Sequence, residues 1–190
     1  MSQSANYFNS DCFLKGNLGR EIVKAMLEKS GYTVCHYGYE ITLLDAKSKR
    51  TSKKSNSTTG RRMRSSPDLL VYDDENIMLV EVKSRGKIPV MIKINEIENL
   101  KEFWNDAILV VAVPDGNIFY AQKINKLELQ QNETYQYYPL SDFEKFQDIF
   151  TRVRSEDISH YKERALLILQ NNKTKKEIVI ENTPRAFLKT

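Results

Sequence analysis

A run of seven apolar residues, AILVVAV at Ala107–Val113, constrains the fold of this chain more than any other feature. A strand with one face in water alternates apolar and polar residues, whereas a continuous apolar run of this length is typical of a strand buried on both faces. The sheet that contains it must therefore be covered on both sides. Hydrophobic residues make up 41% of the 190-residue chain, which is enough for such a core.

Helix and strand patterns alternate along the rest of the chain. Apolar residues recur at helical spacing in residues 19–29, with Gly31 as the expected stop, and again in residues 88–103. Four further segments are rich in β-branched and aromatic residues and predict strands, at residues 32–39, 69–72, 77–82 and 118–124. This order of elements predicts an α/β fold with a central mixed β-sheet flanked by helices.

The pattern weakens after residue 125. Residues 11–125 are predicted to form the core domain, and residues 126–190 a small C-terminal extension that packs on it or forms an oligomer contact. The two cysteines, Cys12 and Cys35, form no CxxC motif, which excludes a cysteine-built zinc site and fits a reducing compartment. No apolar run approaches the ~20 residues of a membrane helix. We therefore expect a soluble, cytoplasmic protein without a membrane partner.

Positive charge is concentrated in one segment, although the net charge of the chain is only +4. Between Lys47 and Arg64 there is no acidic residue and one apolar residue, Met63, so we expect a basic loop over residues 46–66. Such a loop is typical of a contact with the phosphate backbone of nucleic acid, because each neutralised phosphate releases counterions. A solvated insertion is the alternative that charge alone leaves open. The eight basic residues are Lys47, Lys49, Arg50, Lys53, Lys54, Arg61, Arg62 and Arg64.

Glu81 interrupts the predicted hairpin of residues 69–72 and 77–82, and Asp68 and Lys83 border it. In the register that we expect, Asp68 lies opposite Lys83, and Asp68, Glu81 and Lys83 project from one face. Two neighbouring carboxylates repel each other unless a cation joins them, and Mg²⁺ typically takes one or two carboxylates together with phosphate oxygens. The pattern therefore predicts a metal site, with Lys83 positioned to act on the attacking water or on the phosphate. A surface charge network is the alternative.

These residues resemble a known signature. Pro67-Asp68 followed by Glu81-Val82-Lys83 is similar to the motif of the PD-(D/E)XK nucleases. Upstream, Lys15-Gly16, Glu21 and Gly31–Val34 resemble the first helix and strand of archaeal Holliday junction resolvases and related restriction-endonuclease-like proteins. The long basic link before Pro67 departs from these resolvases, in which the link is short.

The resemblance covers about residues 14–124 and implies a restriction-endonuclease-like fold. It also implies a Mg²⁺-dependent DNA endonuclease that hydrolyses phosphodiester bonds, structure-selective in DNA repair or recombination, with Mn²⁺ as a substitute. The implied metal ligands are Glu21, Asp68, Glu81 and the Val82 carbonyl. Glu21, Asp68, Glu81 and Lys83 are the implied catalytic residues.

The expected partners are DNA and a second copy of the chain in a homodimer, at the nucleoid. Arg85 and Lys87 follow the Glu-x-Lys motif directly and are further candidates for phosphate contacts, with a solvated strand end as the alternative. Glu96, on the next helix, is more typical of a helix surface. Two other functions stay open, a catalytically inactive DNA-binding module and an RNA nuclease, although the intact motif argues against the first.

Overall fold

The computed structural model describes residues 17–38, 57–84, 89–113, 118–129 and 134–163. The strands in chain order are β1 (Thr33–His36), β2 (Leu69–Tyr72), β3 (Ile77–Ser84), β4 (Val90–Lys93), β5 (Ile108–Val113), β6 (Ile118–Lys123), β7 (Tyr135–Tyr138) and β8 (Glu144–Lys145). The helices are α1 (residues 17–29), α2 (Thr58–Arg64), α3 (Ile94–Phe103), α4 (Phe146–Ile149) and α5 (residues 155–163), with short 3₁₀ turns at Ile124–Lys126 and Leu140–Asp142.

Six strands form the central sheet in the order β1-β2-β3-β5-β6-β8. Strands β3 and β5 are parallel, and the other neighbours are antiparallel. Strands β4 and β7 form a separate antiparallel pair. The prediction of an α/β fold with a central mixed sheet is confirmed.

Each face of the central sheet is covered by its own hydrophobic cluster. On one face, Val80 and Val82 of β3 pack in a cluster with Val23 and Met26 of α1. On the other, Leu109 and Val111 of β5 pack in a cluster with Ile97 and Leu100 of α3. The apolar run at β5 is thus buried on both sides, as its composition predicts.

Helix α1 ends as predicted and begins with a close contact. Gly31 has a φ of 87°, a left-handed conformation that favours glycine, and its N–H donates to the Glu28 carbonyl. At the other end, Gly19 lies so close to the end of β3 that an added β-carbon would overlap the Ser84 hydroxyl oxygen. The absence of a side chain at position 19 thus allows α1 to pass close to the end of β3.

The register of the β2–β3 hairpin differs from the prediction by two residues. Leu69 pairs with Val80, and Tyr72 with Ile77. The Asp73 carboxylate accepts hydrogen bonds from the N–H groups of Glu75 and Asn76 and so closes a longer turn than expected. The predicted pairing of Asp68 with Lys83 is therefore wrong. Because alternate residues share a face, a shift of two preserves the face from which Asp68, Glu81 and Lys83 project.

The predicted basic loop is wrong for its C-terminal part, because Thr58–Arg64 form helix α2. The Ser57 side chain accepts a hydrogen bond from the Gly60 N–H and caps the helix. None of its residues is buried. Arg61 instead holds it on α3, through a two-pronged pair with Glu102 at 2.9 and 3.1 Å and a position 5.4 Å from the centre of the Phe103 ring.

The segment after residue 125 contributes to both hydrophobic clusters within its described part. Strand β8 joins the edge of the central sheet at Tyr120 and Ala121. Phe146 and Phe150 are fully buried against the face that carries α1. Strand β7 pairs with β4, a strand that lies within the predicted helical segment of residues 88–103. No helix in the described ranges combines the length and the apolar character needed to span a bilayer.

Candidate active site

Asp68 lies directly before β2, where the backbone ladder with β3 stops. The Val82 N–H donates a hydrogen bond of 2.8 Å to Asp68 Oδ2. On the other side, the Tyr37 N–H donates to the Asp68 carbonyl oxygen at 2.9 Å. Buried Pro67 precedes it and restricts the backbone. Asp68 is therefore fixed by both neighbouring strands.

Glu81 lies on β3, between β2 and β5. It follows Val80, the partner of Leu69, and therefore lies opposite Asp68. The residue is 9% exposed. Burial raises the pKa of Glu81 to about 7; the ammonium of Lys83 opposes this rise, and the charge of Asp68 adds to it. A bound cation would stabilise the charged form of this buried carboxyl and offset its repulsion with the Asp68 carboxylate.

The Lys83 ammonium lies between two carboxylates. Its Nζ is 2.8 Å from Glu81 Oε1 and 3.3 Å from Glu96 Oε2. Glu96 comes from the first turn of α3, which covers this face of the sheet. From its sequence position, Glu96 is expected on a helix surface. Helical spacing alone does not show that α3 packs over β3 and brings Glu96 to Lys83.

Glu21 does not join Asp68 and Glu81 directly. It lies on α1, which packs on the opposite face of the sheet, and its side chain is 55% exposed. Glu21 Oε1 is 3.5 Å from His36 Nε2 and 3.9 Å from Arg20 Nε. The described residues contain no group of three or more His, Cys, Asp or Glu side chains placed to hold a metal ion. The expected set of three carboxylates is thus not assembled in this structure.

Arg20, the neighbour of Glu21 in sequence, contacts Asp68 instead of a third carboxylate. Its Nη1 is 3.4 Å from Asp68 Oδ1, and its Nη2 donates to Asn17 Oδ1 at 3.0 Å. The guanidinium therefore bridges Glu21 and Asp68. The sequence contains no signal for this role beyond the position of Arg20 next to Glu21.

The basic residues fall into two groups. Arg61 and Arg62 lie on α2 and contact aromatic rings of α3 and its C-cap: Arg62 is 5.2 Å from the centre of the Trp104 ring. Arg64, at the end of α2, is exposed. The remaining candidates, Lys47, Lys49, Arg50, Lys53, Lys54, Arg85 and Lys87, lie outside the described residues.

The donors that the structure brings together suit a hard divalent cation. Asp68 and Glu81 offer carboxylate oxygens from adjacent strands, which are the ligands that Mg²⁺ and Mn²⁺ prefer. The Val82 side chain is buried in the cluster under α1, and its N–H is already used by Asp68. Two carboxylates and one ammonium thus form a compact site at the end of the hairpin.

Comparison with known proteins gives a family. A family model described as archaeal Holliday junction resolvase (Hjc) matches residues 46–158, more than half of the chain. The match includes Asp68, Glu81, Lys83 and Glu96 and begins after α1. Among solved structures, Hjc from Archaeoglobus fulgidus, titled a Holliday junction resolvase from an archaeal hyperthermophile, is 15% identical. That likeness covers 71% of this chain and 94% of that chain, with a TM-score of 0.47. No curated protein matches.

Proposed function

Since the chain belongs to the archaeal Holliday junction resolvase family, within the PD-(D/E)XK nuclease superfamily, we propose that it is a Mg²⁺-dependent enzyme that cuts branched DNA in recombination and repair. Its family makes it a metal-dependent endonuclease that hydrolyses phosphodiester bonds. The observation that carries the proposal is the meeting of Asp68, Glu81 and Lys83 on one face of adjacent strands.

Asp68, Glu81 and the Val82 carbonyl would hold the metal ion. Glu21 would join them once Arg20 no longer bridges Glu21 and Asp68. When bound, a divalent ion lowers the pKa of water and stabilises the charge that develops on the phosphate. In the absence of the ion, the Arg20 guanidinium and the Lys83 ammonium offset the negative charge of the carboxylates.

Lys83 is the group that would act on the reacting atoms. Glu81 and Glu96 hold its ammonium from two sides, so the charge stays in one place during the reaction. A fixed point charge beside the scissile phosphate orients the attacking water and stabilises the extra negative charge of the transition state. Glu96 is a positioning residue in this arrangement.

DNA binding would extend beyond the carboxylates to the basic residues. The segment from Lys47 to Arg64 precedes Pro67-Asp68 in sequence, and α2 ends close to Asp68 along the chain. Arg85 and Lys87 follow β3 in the same way. Positive charge on both sides of the motif would draw the phosphate backbone to an acidic site that repels it. A homodimer acting at the nucleoid would present one site to each of two strands.

The test is cleavage of a synthetic four-way junction, with matched linear duplex, single-stranded DNA and RNA, in Mg²⁺, Mn²⁺, Ca²⁺ or EDTA. We expect cutting of the junction in Mg²⁺ and Mn²⁺, weaker or no cutting of the linear duplex, and none in EDTA. Asp68→Asn should remove cutting and leave junction binding within a few-fold. Metal-independent binding without any cutting would instead identify an inactive DNA-binding module, and preferential cutting of RNA would identify an RNA nuclease.

A further inference from the structure

Tyr37 borders the candidate active site on the side away from Glu81. His36 pairs with Leu69 in the β1–β2 register, so the next residue, Tyr37, stands opposite Asp68. The 2.9 Å hydrogen bond from the Tyr37 N–H to the Asp68 carbonyl fixes this position. Residues that face each other on neighbouring strands share a face, with β-carbons ~4.5–5.5 Å apart. Tyr37, Asp68 and Glu81 therefore form one row across three strands.

The ring of Tyr37 is partly exposed to solvent and packs against Trp104. The Tyr37 and Trp104 rings pack edge to face, with ring centres 6.0 Å apart and an angle of 85° between the rings. Arg62 stands over the Trp104 ring at 5.2 Å. Tyr37 nevertheless remains 38% exposed. We call Tyr37, Trp104 and Arg62 the aromatic corner of the site.

An exposed aromatic ring beside a phosphodiester-cutting site suits a nucleobase. Stacking of a base on an aromatic side chain is tolerant of sequence, because every base has a π-face. In continuous duplex DNA the bases stack on each other and are not available to such a ring. They become available where the stack is interrupted, as at the branch point of a junction or at a flap.

We propose that Tyr37 stacks on a nucleobase next to the cut phosphodiester and that this contact makes the enzyme prefer DNA with an interrupted base stack. The inference rests on the proposed function, since it needs DNA bound at Asp68 and Glu81. Trp104 packs against the Tyr37 ring, and Arg62 lies over the ring of Trp104. Tyr37 is a specificity-determining residue in this account, and the chemistry remains with the carboxylates and Lys83.

A double-mutant cycle that removes the Tyr37 ring, the DNA base or both tests the contact directly. The protein variant is Tyr37→Ala, and the DNA variant is a junction with an abasic nucleotide beside the cut phosphate. Binding in Ca²⁺ can be followed by the emission of Trp104, the single tryptophan of the chain. We expect each change alone to weaken binding by about tenfold, the size of one base–aromatic stack, and both together to weaken it no further. Tyr37→Phe should bind like the unaltered protein.

Tyr137→Ala is the matched control, because Tyr137 is an exposed tyrosine, 51% accessible, on β7, which belongs to the separate two-stranded sheet. Additive losses in the cycle, or an equal loss with Tyr137→Ala, would overturn the inference. Should Tyr37→Ala melt below the assay temperature, Tyr37→Leu keeps apolar bulk against Trp104 without a ring, and the same cycle applies. If the unaltered protein cuts no DNA with any metal, the proposed function fails; if it cuts the junction and the cycle is additive, only this inference fails.

Discussion

The carboxylate of Asp68 accepts a hydrogen bond from the backbone N–H of Val82 at 2.8 Å, so a side chain continues the ladder between β2 and β3 where the backbone of β2 no longer does. The same carboxylate has its second oxygen 3.4 Å from the Arg20 guanidinium. One residue thus links the edge of the ladder, the acidic site and the helix on the opposite face of the sheet. Replacing Asp68 should affect both folding stability and DNA cleavage, and different substitutions should separate the two effects.

Asp68→Asn and Asp68→Ala should both lose junction cleavage, because each removes a metal-binding carboxylate. Asparagine keeps an oxygen that accepts the Val82 N–H, whereas alanine leaves that N–H without its partner. We therefore expect Asp68→Ala to cost about 1 kcal/mol of unfolding free energy more than Asp68→Asn. Urea unfolding followed by circular dichroism measures this difference. Equal stability of the two variants would contradict the structural role.

Glu96→Gln should slow cleavage through Lys83. The amide removes the charge that holds the ammonium from the side of α3, so we expect a loss of about tenfold, smaller than the ~10²–10³ loss expected for Lys83→Ala. In the double variant, the loss should equal that of Lys83→Ala alone. Single-turnover cleavage gives these rates. Glu98→Gln, an exposed neighbour on α3, is the control and should leave them unchanged.

Arg20→Gln should strengthen metal binding. It removes a positive charge beside Asp68 that a divalent cation must displace or tolerate. We expect the dissociation constant for Mn²⁺ without DNA to fall by about threefold to tenfold, the effect of one partly screened charge a few ångströms away. Calorimetric titration measures it, with Arg152→Gln as the control because Arg152 pairs with Asp74 on the hairpin turn. Weaker Mn²⁺ binding to Arg20→Gln would show that the guanidinium supports the metal site.

The basic residues of α2 and those of the preceding segment should have different roles, Arg61 in folding stability and the preceding lysines and arginine in DNA binding. Arg61→Ala should destabilise the protein by about 0.5–1 kcal/mol and Glu102→Ala by less, since Arg61 also contacts the Phe103 ring. The double variant should lose no more than Arg61→Ala alone, because the two charged residues form one pair. Replacing Lys47, Lys49, Arg50, Lys53 and Lys54 with glutamine should instead flatten the salt dependence of DNA binding, by about 0.9 in log–log slope for each phosphate that these side chains neutralise. Fluorescence anisotropy over a salt series would detect it, and an unaltered slope would remove this segment from the DNA-binding surface.

Asp157 should make stability depend on pH. Burial raises the pKa of its carboxyl, but the bonds from Lys29 and the Arg154 N–H outweigh this and hold the pKa below its usual 3.8. The folded-state pKa is depressed, so the stabilisation is present above pH 3.8 and is lost as the pH falls through the lower folded-state value. Asp157→Asn should therefore have a lower melting temperature than the unaltered protein at neutral pH, and the difference should shrink in strong acid. A difference that grows on acidification would contradict the pairing.

The parts of the site that depend on strand periodicity were predictable. The face shared by Asp68, Glu81 and Lys83 survives a register error of two, because it depends only on whether residues are an even number of positions apart. The buried strand β5 follows from its composition. These features are set by local chain geometry, which a sequence pattern records directly.

The parts that depend on helix packing were not predictable. Arg20 reaches Asp68, and Glu96 reaches Lys83, only because α1 and α3 cover opposite faces of the sheet at particular heights. Helical spacing shows which residues share a face but not which polar side chain meets a strand end. Helix α2 was not predicted for a related reason: an ion pair and ring contacts hold it, and a composition argument counts only apolar burial.

The contact between Gly19 and Ser84 carries a consequence for the residue that follows it. An added β-carbon at position 19 would overlap the Ser84 hydroxyl oxygen, which can rotate away, and would lie 3.2 Å from the Ser84 β-carbon, so α1 and β3 would have to separate by a few tenths of an ångström. Glycine at position 19 is thus what lets the first turn of α1 approach the end of β3 this closely, with Arg20 next in sequence and within reach of Asp68.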